Sequence, residues 1–67
     1  MEILDRNIKN IEQYKEKQNE LRNRIRFCNQ HSFIEEVRIA RIELDAMDMI
    51  LFEYKNMYDE IIELLNN

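Results

Sequence analysis

The sequence predicts an all-α chain folded as a two-helix antiparallel hairpin, coiled-coil-like in its packing. Three observations carry that prediction. There is no Gly or Pro in 67 residues, two apolar stripes run at spacings of three and four, and a polar tetrapeptide separates them. Sheets, tight turns and phosphate-cradling loops draw on Gly and Pro. Their absence, beside abundant Glu, Lys, Leu, Ile, Arg, Gln and Met, reads as helix from end to end.

Helix 1 is expected over about residues 3–28. Leu4, Ile8, Ile11, Tyr14, Leu21, Ile25 and Cys28 form one stripe, with Gln18 filling the missing step. Acid precedes base by four residues at Glu2–Arg6, Asp5–Lys9 and Glu20–Arg24. Such pairs each add a few tenths of a kcal/mol, ~0.3, on an exposed face.

The connection is expected at about residues 29–32, N-Q-H-S. Ser32 followed by Glu35 has the spacing of a capping box, which marks a fresh helix start. One continuous helix is the rival, since no Gly or Pro forces a break.

Helix 2 is expected over about residues 33–65. Phe33, Val37, Ala40, Leu44, Met47, Leu51, Tyr54, Tyr58, Ile61 and Leu65 alternate four and three without error, a sustained heptad. Folding at the turn pairs Ile8 with Tyr54, Tyr14 with Met47, Gln18 with Leu44 and Ile25 with Val37. Met1 then reaches only residue 60, and the last turns overhang.

Helix 2 carries more apolar surface than one partner helix covers. Ile39, Ile42, Ala46, Met49, Ile50, Met57 and Leu64 make a second stripe about a quarter turn from the first. With the overhanging Ile61, Ile62, Leu64 and Leu65, they are the expected protein interface. A chain this short is marginal alone without disulfide, metal or oligomerisation. Two hairpins packed through helix 2 would make a four-helix bundle dimer; another protein docking on helix 2 is the alternative partner.

Charge bears on the arrangement. Residues 1–42 hold nine Lys/Arg against seven Asp/Glu, and residues 43–67 hold one against seven. An antiparallel dimer sets the basic turn end against the acidic end of its mate, whereas a parallel dimer stacks like on like.

Chemistry-bearing residues are sparse. Cys28, the single cysteine, reads as a buried hydrophobe, and no internal disulfide can form. His31 with Cys28 is too small a set for zinc, so neither metal nor cofactor is expected. No nucleophile–base arrangement can be assembled. Asp45 and Asp48, three apart, are read as facing away from the seam. Arg22, Arg26, Arg38 and Arg41 near the turn are candidate phosphate ligands for RNA or a nucleotide, although the acidic net charge of -4 argues against nucleic acid. No run approaches the ~20 apolar residues of a membrane span, and no leader pattern opens the chain. A cytoplasmic setting is expected. The Asn-, Ile-, Glu- and Lys-heavy composition suggests an AT-rich genome, consistent with a phage or mobile element.

Three resemblances accompany these readings. The layout resembles that of plasmid copy-number regulators, which are dimers of antiparallel hairpins. Residues 47–54, M-D-M-I-L-F-E-Y, are similar to the second half of a motif of small aspartyl-phosphate phosphatases of sporulation phosphorelays, Ser-Gln-x-Leu-Asp-x-Leu-Ile-x-x-Tyr. Leu44 and Asp45 stand at its Ser and Gln positions. That resemblance implies a hydrolase alternative using Asp45 or Asp48 with magnesium. In size and shape the chain is similar to the small co-chaperones of type III secretion. The expected function is a non-enzymatic adaptor, chaperone-like cap or inhibitor acting through the apolar faces of helix 2.

Overall fold

The computed structural model describes residues 1–66. Helix α1 spans Glu2–Gln30 and helix α2 spans Ile34–Asn66, and the two pack along their length as an antiparallel hairpin. The rod measures 53 × 15 × 12 Å. Among the described residues there is no strand, and no helix is long and apolar enough to cross a membrane.

The turn closes by a different device from the capping box. Ser32 has φ 58°, in the left-handed region, whereas an N-cap residue needs extended backbone. The Phe33 N–H donates to the Cys28 carbonyl oxygen at 2.8 Å, and the Ser32 N–H to that of Asn29 at 3.2 Å. These two bonds define a Schellman motif, in which Ser32 holds the left-handed position usually given to glycine. Ser32 therefore ends α1 instead of starting α2. Because α1 runs on to Gln30, the connection is residues 31–33, slightly later than the tetrapeptide suggested.

The α2 seam follows its heptad. Val37, Ala40, Leu51 and Ile61 are buried, and Leu44, Met47, Tyr54 and Tyr58 are half-buried between them. Phe33 and Leu65, at the two ends of the stripe, are exposed. On α1 the buried residues are Asn7, Gln18, Leu21 and Cys28. Asn7, not Ile8, takes the seam position: it is 3% exposed, against 36% for Ile8. The reason is phase. Counting back from Cys28 in alternating threes and fours gives Ile25, Leu21, Gln18, Tyr14, Ile11, Asn7 and Leu4.

The register also differs from the expected pairing. Gln18 meets Asp48 instead of Leu44, and the Tyr14 ring stacks on Tyr54 at 5.5 Å instead of on Met47. Two causes act in the same direction. The later turn moves the side-chain pairs along, and long helical side chains lean toward their own N-termini, so antiparallel side chains meet further on. The shift shortens the overhang: Ile61 is buried and Ile62 half-buried, while Leu64 and Leu65 remain exposed.

Candidate functional site

Hiding the seam leaves the second stripe of α2 in solvent. Ile39 is 54% exposed, Ile42 63% and Met49 70%, and Ala46, Met57 and Leu64 are exposed beside them. Three of the expected interface residues belong elsewhere. Ile61 is taken up by the hairpin seam, and Ile50 and Ile62 are half-buried at its edges. The phase explains all three, since Ile61 occupies a heptad position, Ile62 follows it and Ile50 precedes the buried Leu51.

The stripe does not lie on α2 alone. Lys17, Leu21 and Arg24 of α1 border one shallow groove together with Glu43 and Met47. The Arg24 guanidinium reaches the Glu43 carboxylate at 3.8 Å. Further along the same side, Tyr14 borders a groove with Ile50, Glu53 and Met57. The Lys17 ammonium stands 5.2 Å from the centre of the Tyr14 ring. The result is one long face, apolar along α2 and edged on α1 by Lys17, Glu20 and Arg24. Of the acid-before-base pairs, Glu2–Arg6 forms at 3.0 Å, whereas Asp5 faces the N-terminal amine and Arg24 turns across to α2.

Arg22, Arg26, Arg38 and Arg41 are all exposed, divided between the two helices near the turn. His31 is exposed too and sits between two aromatic rings, 4.4 Å from Phe27 and 5.6 Å from Phe33. Cys28 is buried. Asp45 and Asp48 are both exposed, but Asp48 does not point away from the seam: its carboxylate accepts a hydrogen bond from the buried Gln18 amide. Its place just after the heptad residue Met47 puts it at the seam's margin, within reach of the long Gln18 side chain. Among the described residues, no group of three or more His, Cys, Asp or Glu is placed to hold a metal ion. No family model matches the chain, and no curated protein or solved structure matches it.

Proposed function

We infer that the protein is a non-enzymatic protein-binding module, an adaptor, chaperone-like cap or inhibitor that works through the exposed apolar stripe of α2. The observation that carries this reading is the size of the surplus. A compact monomer of 8.4 kDa exposes about 4,600 Å² by the general size scaling, and this one exposes 5492 Å². Part of the excess comes from the rod shape. Exposed on the rod are Ile39, Ile42 and Met49, large apolar side chains at helical spacing that one partner helix does not cover. A second copy of the chain or another protein's helix has the shape to cover them, because an amphipathic helix seats its apolar face in such a groove.

Ile42→Glu and Met49→Glu test the reading. Both residues are exposed, so each variant should keep the helical hairpin while abolishing association, with the melting temperature falling only by what association contributes. Association as tight as that of the native chain in both variants would remove the stripe from the function.

A further inference from the structure

We propose that a second copy of this chain occupies the face, packed antiparallel, with Glu53 and Glu60 of each copy meeting Lys17 and Arg24 of the other. The proposal rests on the reading of α2 as the binding face and adds the occupant and its orientation. The face runs from Ile39 to Leu64, about seven turns of α2, long enough to seat the same helix of a second copy.

The stripe is also self-complementary about its own midpoint. A two-fold axis near Met49 and Ile50 sets Ile42 of one copy across from Met57 of the other. It sets Glu53 across from Ala46, and Glu60 across from Ile39. The two carboxylates are the acids that interrupt the apolar stripe, and each arrives beside a cation of α1. Ala46 adjoins Met47, which borders the same groove as Lys17. Ile39 lies one turn before Glu43, the residue Arg24 reaches across to. All four charged residues are exposed, and Arg24, already 3.8 Å from Glu43, would be shared between that carboxylate and the incoming Glu60. A parallel arrangement would stack Glu53 on Glu53 and Glu60 on Glu60, where like charges oppose association. The symmetric arrangement repeats every contact twice, as an isologous interface requires.

A charge exchange tests the occupant and its orientation together. One variant carries Lys17→Glu and Arg24→Glu, the other Glu53→Lys and Glu60→Lys. Each alone should raise the dimer dissociation constant roughly tenfold or more, because four ion contacts become repulsions. An equimolar mixture should form a one-to-one heterodimer, read by native mass spectrometry, since every contact in it is again between opposite charges. Rescue on mixing also shows that neither variant is misfolded. A mixture that stays unpaired, or variants that dimerise like the native chain, would overturn the arrangement. A native chain that stays single would overturn the second-copy assignment and leave the face to another protein. A dimer indifferent to Ile42→Glu would instead remove α2 as the binding face.

Discussion

The side-chain amide of Asn7 donates to the backbone carbonyl oxygen of Tyr54 at 3.3 Å, across the hairpin seam toward its open end. The Asn7 side-chain oxygen Oδ1 is buried and has no hydrogen-bond partner. A buried acceptor without a donor costs about 1–3 kcal/mol. Asn7→Leu should therefore stabilise the hairpin by roughly 1–2 kcal/mol, read as a higher urea midpoint. The Tyr54 carbonyl is not stranded by the change, because it lies in mid-helix. A lower midpoint would show that the Asn7 bond outweighs its orphaned oxygen. A polar residue at one heptad position can fix alignment at the expense of stability, the role expected of Asn7 if the leucine variant is more stable.

Gln18 is the second buried polar residue of the seam, and its amide depends on Asp48. Asp48→Ala should lose about 1 kcal/mol or somewhat more by leaving a buried donor unpaired. Adding Gln18→Leu to that variant should recover the loss, since removing both partners leaves nothing unsatisfied. Thermal melts of the three variants decide the matter; additive losses would mean that the two side chains do not interact.

Ser32 holds φ 58° without being glycine. For an L-residue that conformation costs about 1–2 kcal/mol. Ser32→Gly removes the cost but loosens the unfolded chain, so a net gain of about 0.5–1 kcal/mol is expected. A capping role for Ser32 would give the opposite sign, which makes the melting temperature of this one variant diagnostic.

Ile61 and Leu64 are near neighbours in sequence with different duties. Ile61 is buried and Leu64 is 75% exposed. Ile61→Ala should cost the hairpin about 2–3 kcal/mol, and Leu64→Ala under ~0.5 kcal/mol. Truncation after Glu60 should accordingly lower the melting temperature even in dilute solution. Equal effects of the two alanine variants would show that the last turns do overhang α1.

The α2 seam was legible because its heptad is apolar throughout, so periodicity alone placed Val37, Ala40, Leu51 and Ile61 inside. On α1 the same periodicity pointed to Asn7, but apolarity and phase disagreed there, and phase prevailed. Strict alternation of three and four was the signal that distinguished Asn7 from Ile8. The turn was harder to read. Ser32 and Glu35 have a capping box's spacing, yet closure is decided by backbone bonds from Ser32 and Phe33 that leave no mark in side-chain chemistry. The exposed stripe could be read from helical angles on α2. That Lys17 and Arg24 edge it could not, because their position depends on the register between helices.

The most direct test of self-recognition through α2 is the solution mass of the native chain, measured by light scattering over a hundredfold range of dilution. Pairing through the stripe predicts a mass of two chains at the concentrated end, with any dissociation confined to the dilute end. A mass of one chain throughout would contradict it.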